Sequence, residues 1–544
     1  MRRTTIKIAA ALLAIAMLAG CVPKTTAPDA SSAPQITVTP ESTAAPTIRD
    51  TLIVGTTTKI EKAGRDDYFF DVLSGTLSQM ALVKQLENGE FAPMAADYQT
   101  TDAKTWTFTI VEGLKWQDGT PVTANDFKFT LEYLDKQEEG KYLGKYEAVN
   151  VKDDRTLELV LKTPNIRALA DLTTLRLIPQ HIYKDIEKLA DATEEQATLG
   201  CGAYKFVSFD RSAGVLEFVA NRDFGSGKQR VERVLFKMYG NADTMYMALK
   251  TGELDMVYNY AGGVDPVAAE DLAKSENITL TTVKDIGNTA VLVFNNSKAP
   301  WSDLTLRMAV YHALDYDKFR ELFGSPYSIP ATAGFLPAGS LGYIDTAVNK
   351  RNLEESKRLL AQAGAADSNG DGILELSGKP LSIELLIRSD KPVYQRYGEL
   401  IQANLKEVGI DVSLKLVEVP QFRSITEKEH TNDAMITKFT AFGMGMGGGV
   451  GTAYMDGRLT ANAQGQVNSQ DFYEVADALK SADTMEKYKK AAEDCQRYYA
   501  ANVPAIALYW DSYIQAYNSK LSGFTVDGTF GILNMDTWFS MQFE

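Results

Sequence analysis

The sequence predicts a mixed α/β protein built from more than one domain, and three observations carry that reading. Strand-like alternation and helix-like periodicity interleave along the chain, as they do when sheets and helices share a core. The chain has 544 residues, whereas one domain holds about 100–200. Hydrophobic residues make up 45% and charged residues 23%, an ordinary globular balance, and no short-period repeat is visible. The charge narrows the function. With 56 basic against 71 acidic residues the formal charge is −15, which disfavours a phosphate-backbone partner, so no nucleic acid is expected. Three histidines and three cysteines leave little for a multi-ligand zinc or iron–sulfur site.

Taken in order, residues 1–21 come first. Arg2, Arg3 and Lys7 form a positive end, and residues 8–19 form an apolar stretch. It falls short of the roughly 18 or more apolar residues that a span needs, so it reads as a signal peptide over 1–20. The ending Leu18-Ala19-Gly20-Cys21 resembles the lipobox of bacterial lipoproteins. That resemblance implies lipidation of Cys21 and anchoring to the cell membrane from outside the cytoplasm. Residues 21–50, rich in Thr, Ala, Pro and Ser, cannot bury enough apolar surface to order themselves and read as a flexible tether. No later segment reads as a membrane span.

The body begins near Asp50. Thr51-Leu52-Ile53-Val54-Gly55 reads as a first strand, and Trp106-Thr107-Phe108-Thr109-Ile110 alternates as a half-buried strand does. Asp118-Gly119-Thr120-Pro121 reads as a turn, and Thr123 as the N-cap of a helix carrying Phe127. Residues 149–161 alternate again around a turn at Asp153-Asp154-Arg155, and residues 381–387 read as a further strand.

The stretch TWTFTIVEGLKWQDGTPVTANDFKFTLEYL, residues 105–134, resembles the signature of the family 5 extracellular solute-binding proteins, the peptide and nickel receptors of ABC importers. Five more segments match the family in order. They are Leu177-Ile178-Pro179-Gln180-His181-Ile182, Gly200-Cys201-Gly202-Ala203-Tyr204, Leu292-Val293-Phe294-Asn295-Asn296 with the helix after it, residues 356–372, and Asn502-Val503-Pro504-Ala505-Ile506-Ala507-Leu508-Tyr509. The resemblance covers essentially everything after the tether. It implies a two-lobed clamshell of periplasmic-binding-protein class II with an extra N-terminal domain. Lobe one would comprise 50–72, 200–295 and 500–544, the extra domain 73–199, and lobe two 296–499. It also implies a monomer without catalytic residues that closes around a small solute and hands it to the permease subunits of an importer. A short peptide leads, ahead of an oligosaccharide or a metallophore. A chemosensory or enzymatic protein on the same scaffold is the alternative from another class.

Candidate site residues follow from chemistry. Trp510 offers a flat apolar surface and Asp511 an acceptor at the end of an apolar strand, so both are expected at the cleft. The competing reading makes Trp510 core. Phe439 and Phe442, beside a Gly-Met-rich segment, would face them from lobe two. Thr57, Tyr258, Asn259 and Tyr260 would line the lobe-one rim. Asp367, Asn369, Asp371 and Glu375 resemble the opening of an EF-hand loop, where oxygens at alternating positions suit a structural calcium ion. Gly378 stands where the bidentate Glu should fall, so an Asx-rich turn is the alternative. No other cofactor is expected. His181 and His312 read as scaffold residues and His430 as part of a solvated loop. Cys201 and Cys495 either pair in an oxidising compartment or stay buried as thiols.

Overall fold

Two sheets dominate the architecture, and the order of their strands explains how the lobes are joined. A computed structural model describes residues 48–544 apart from 138–141, 226, 261, 284–288, 440–448 and 460–462. Cys21 and Phe442 therefore lie outside the described residues, as does most of the Gly-Met-rich segment.

The first lobe is centred on a seven-stranded mixed sheet. Its order runs Ile278–Val283, Tyr513–Asn518, Met256–Val257, Arg49–Thr56, Val231–Met238, Val215–Ala220, Tyr204–Asp210. The expected first strand is its centre, paired in parallel with Val231–Met238 on one side and Met256–Val257 on the other. The second lobe is centred on a five-stranded sheet ordered Asp411–Val417, Ser382–Arg388, Ala434–Phe439, Thr289–Phe294, Ala505–Trp510. All of Thr289–Phe294 is apolar apart from Thr289, which is how a strand covered on both faces reads. Its residues divide by alternation. Ala290, Leu292 and Phe294 enter one core, while Val291 and Val293 enter the core on the opposite face.

Between 96 and 161 a four-stranded antiparallel sheet forms the extra domain, in the order Ala96–Gln99, Thr105–Ile110, Thr156–Leu161, Tyr146–Val151. Trp106, Phe108 and Ile110 are buried and alternate with half-buried threonines, as their spacing predicts. The helix Ala124–Gln137 lays Phe127 and Leu131 against this sheet. Thr123 does not cap it in the expected way. Its hydroxyl donates to Asp126 Oδ2 at 3.0 Å, while Asp126 Oδ1 accepts from the Gln180 backbone. The extra domain and the first lobe share one hydrophobic core, in which Trp106 and Phe108 are continuous with Leu52 and Val54.

The expected lobe boundaries need correction at two places. Strands Thr289–Phe294 and Ala505–Trp510, assigned to lobe one, belong to the second sheet. The chain crosses between sheets after Val283 and again at Asp511-Ser512. Val283 pairs with Tyr513 on one side of the crossing, and Thr289 with Trp510 on the other. Two neighbouring antiparallel segments thus pass between the lobes side by side, one outward and one returning, which gives a two-lobed clamshell. Cys201 and Cys495 are free and buried, and they sit in different cores, so of the two alternatives the buried thiols hold. No described helix is long and apolar enough to cross a membrane.

Candidate functional site

Strand geometry separates two residues that the sequence placed together. A bulge between Ala290 and Val291 inserts one extra residue into Ala505–Trp510, so that Val291 faces Ala507 while Ala290 faces Tyr509. Leu508 and Tyr509 then both enter one core, and Trp510 turns to the opposite one. Trp510 is 1% exposed, its backbone bonds both ways with Ile329, and Phe335 meets its ring edge-on at 6.0 Å. It occupies the second lobe's interior. Phe439 is there too, stacked on Tyr454 with ring centroids 3.9 Å apart.

Asp511 lies on the other side, where the chain crosses between lobes. Its Oδ2 accepts from Lys438 Nζ at 2.5 Å. Lys438 stands opposite Ala290, the small residue that also faces Tyr509. Asp511 is 7% exposed, and its Oδ1 is buried with no hydrogen-bond partner among the described residues. Burial pushes the Asp511 carboxyl above its usual range despite Lys438, and Asp265, the N-cap of helix Pro266–Leu272 in lobe one, adds to the rise. Burial pulls the Lys438 ammonium down, but Asp511 and the hydroxyls of Tyr397 and Tyr394 outweigh it and hold it above its ordinary value. Tyr397 in turn shares a 2.6 Å hydroxyl contact with Tyr509. A carboxylate with one oxygen paired and one empty can accept from an amine or a hydroxyl.

On the first lobe two of the expected rim residues, Thr57 and Asn259, form one hydrogen-bonded unit with Thr56 and Tyr513. Asn259 Oδ1 accepts from the Thr56 hydroxyl, the Thr57 backbone N–H and the Thr57 hydroxyl at 2.9–3.1 Å. The Asn259 carbonyl accepts from Tyr513 Oη at 3.0 Å. Thr57 and Asn259 therefore satisfy one another. Tyr258 is 3% exposed and its hydroxyl is unpartnered among the described residues, whereas Tyr260 is half-buried with Phe530 at 6.0 Å.

Beside this unit lies Arg176, which sequence reasoning missed. It is 5% exposed, its Nη1 reaches only the Thr173 carbonyl at 3.3 Å, and its Nε has no described partner. The guanidinium lies over Gly75, where a Cβ would come within 2.3 Å of it, and 5.3 Å from the Phe530 ring. Burial lowers its pKa, while Asp71, Tyr260, Asp527 and Tyr258 oppose that. Burial also pushes Asp71 up, and raises Asp527 to about 6 although two backbone N–H groups bond it. A cavity lined by Arg176, Lys84, Asp527 and Asn534 opens here. The signal for Arg176 was present only as an arginine amid apolar residues, which a surface position would equally produce. Tyr68, 63% exposed, stands near Tyr260 on its own lobe and near Arg423 and Tyr454 of the other. Both lobes thus contribute to one region.

The remaining expected residues fall elsewhere. Asp367, Asp371 and Glu375 bring carboxylate oxygens within 4.8 Å of one another, a set that could gather a hard cation. Asn369 is tied into the same loop, its amide nitrogen donating to Asp371 and Glu375 and its Oδ1 accepting from the Asp371 backbone. His181 bonds Asp118 at 2.8 Å, and burial lowers the pKa of His312. His430 is half-buried rather than solvated. It holds φ +49° and its carbonyl accepts from Asn295, which ties the loop to the sheet.

Known proteins place this geometry. Residues 90–463 match the model of bacterial extracellular solute-binding proteins, family 5 Middle. The oligopeptide-binding protein AppA of Bacillus subtilis is 25% identical over 452 residues, covering 79% of each chain. The nickel-binding periplasmic protein of Escherichia coli is 26% identical over 349 residues, 61% of this chain and 64% of that one. The chain spans 60% of the length of the Brucella ovis relative named among ABC transporter peptide-binding proteins. Among solved structures, AppA of Bacillus subtilis in complex with a nonapeptide superposes with a TM-score of 0.74 at 20% identity, over 92% of this chain and 100% of that one. NikA from Brucella suis in complex with Fe(III)-EDTA gives 0.78 at 18% identity, over 91% and 100%. The chain belongs to the bacterial extracellular solute-binding proteins of family 5.

Proposed function

We propose that this protein is the substrate-binding component of an ABC importer, held at the cell membrane by lipid on Cys21, and that it closes around a short peptide between its lobes. The observation that carries this reading is Asp511, a buried carboxylate with one unpaired oxygen, set where two strands cross between the sheets. A half-satisfied buried carboxylate is costly unless a partner completes it. Arg176 supplies the opposite polarity, a buried cation with an unpaired Nε. A peptide long enough to reach both would set its amine toward Asp511 and its carboxylate toward Arg176. Names of relatives that bind oligopeptides support the same class. The protein is a receptor and not an enzyme in this reading, and hinge closure is its working motion.

Native mass spectrometry of protein purified without denaturation tests this. A retained peptide, released on unfolding, is the expected result. A bound sugar or metal chelate would replace the peptide reading. Cys21→Ser should abolish incorporation of labelled fatty acid and leave the body folded, and continued incorporation would refute the anchor.

A further inference from the structure

A second contact joins the extra domain to the second lobe through residues outside the candidate site. The Ile166 backbone N–H donates to the Ala482 carbonyl at 2.7 Å. Ile166 packs against both the first-lobe core and the second-lobe core. Next to it Arg167, 7% exposed, donates to the Gly89 carbonyl at 2.6 Å and lies between two rings, Phe91 of its own domain at 4.1 Å and Tyr488 of the second lobe at 5.5 Å. Tyr488 is 4% exposed and belongs to the second-lobe core. Its hydroxyl also meets Gly449, where a Cβ would lie 2.3 Å away. Leu341 of the second lobe approaches Gly89 closely enough that a Cβ there would sit 3.3 Å from it.

We propose that the Ile166-Arg167 turn is a closure latch, with Arg167 and Tyr488 as positioning residues that set solute affinity without touching the solute. The inference rests on the clamshell receptor reading. The extra domain shares its core with lobe one, so it moves with that lobe, and separation of the lobes must break the Ile166–Ala482 bond and lift Tyr488 from Arg167. A contact made only in the closed state stabilises that state, and affinity rises with the fraction of molecules in it. A buried cation–π contact is worth enough to change affinity about tenfold.

The test compares Arg167→Met, Tyr488→Leu and their double variant with the unaltered chain, each first shown folded by circular dichroism and melting temperature. The probe is a pool of short synthetic peptides, followed by calorimetry and by dissociation kinetics. The expected result is about tenfold weaker binding in either single variant, carried by faster dissociation, with the double variant no weaker than the singles. Affinities within twofold of the unaltered chain would overturn the latch, as would fully additive losses. Hydrogen exchange at the Ile166 amide provides a measurement independent of ligand and of either variant's yield. Tyr488→Leu should deprotect that amide from across the interface, and unchanged protection would overturn the proposal. If the unaltered chain binds no peptide, the receptor reading fails on that result, while the exchange experiment still decides the latch.

Discussion

Asp456 and Asp511 are both buried acids of the second lobe's sequence, yet one is complete and the other is not. Asp456 has a fully buried side chain and accepts on Oδ1 from the Arg458 backbone and Nε, and on Oδ2 from Arg458 Nη2 and Lys480 Nζ. Burial would raise its pKa, but those hydrogen bonds overcome it and hold the carboxyl at about 2. Asp511 has Lys438 on one oxygen and no described partner on the other, and its pKa moves upward. The difference teaches how to tell a structural charge from a functional one. A buried acceptor left without a partner is costly, and at the crossing between lobes a bound solute can complete it.

The largest expected effect sharpens the comparison from the neighbouring residue. Trp510→Ala should cost about 4 kcal/mol of stability by opening a cavity in the second-lobe core. Affinity in the folded fraction should be unchanged, because Trp510 is enclosed in the second-lobe core while Asp511 lies past the end of the strand. Chemical denaturation paired with calorimetry checks both halves. Next, Asp456→Ala should cost about 3 kcal/mol, since it deletes a buried carboxylate that accepts four hydrogen bonds and takes that partner from Lys480, while Arg458 keeps its pairing with Asp477. A loss of affinity there with little loss of stability would break the distinction drawn between the two acids.

The acid limb of stability gives a smaller effect. Asp456 titrates near 2 when folded, below the usual carboxylate value of about 3.9. It therefore contributes stability above that value and loses it as pH falls from about 4 to 2. The contribution is on the order of 2 kcal/mol. Denaturation of the unaltered chain and Asp456→Asn across this window should show the acid-dependent loss shrinking in the variant.

How much of this was legible in the sequence follows from range. Local patterns were readable: the alternation of residues 105–110, the apolar run before Tyr509 and the family motifs placed the strands and the clamshell. Pairings between distant residues were not. Lys438 and Asp511 are 73 positions apart, and nothing in either segment names the other. The bulge opposite Ala290 is invisible without the partner strand, so the side to which Trp510 turns could not be read, and the tryptophan was expected at the cleft with its neighbour. Arg176 gave no local signal of burial. The crossing strands were assigned to the wrong lobe because the boundaries followed the family resemblance, and no local pattern marks where the chain passes from one sheet to the next.

The central claim is that Asp511 holds its second oxygen for a solute's amine. Titration calorimetry tests it with the peptide recovered from natively purified protein, in free and N-acetylated forms, against the unaltered chain and Asp511→Asn. The expected result is a loss of about tenfold or more for the free-amine peptide in the variant, the scale of one charge-assisted hydrogen bond. The acetylated peptide should bind both proteins equally weakly, and affinity is read in the folded fraction, because neutralising the partner of half-buried Lys438 also lowers the melting temperature. Equal affinity of both proteins for the free-amine peptide would contradict the claim and leave Asp511 as a partner of Lys438 alone.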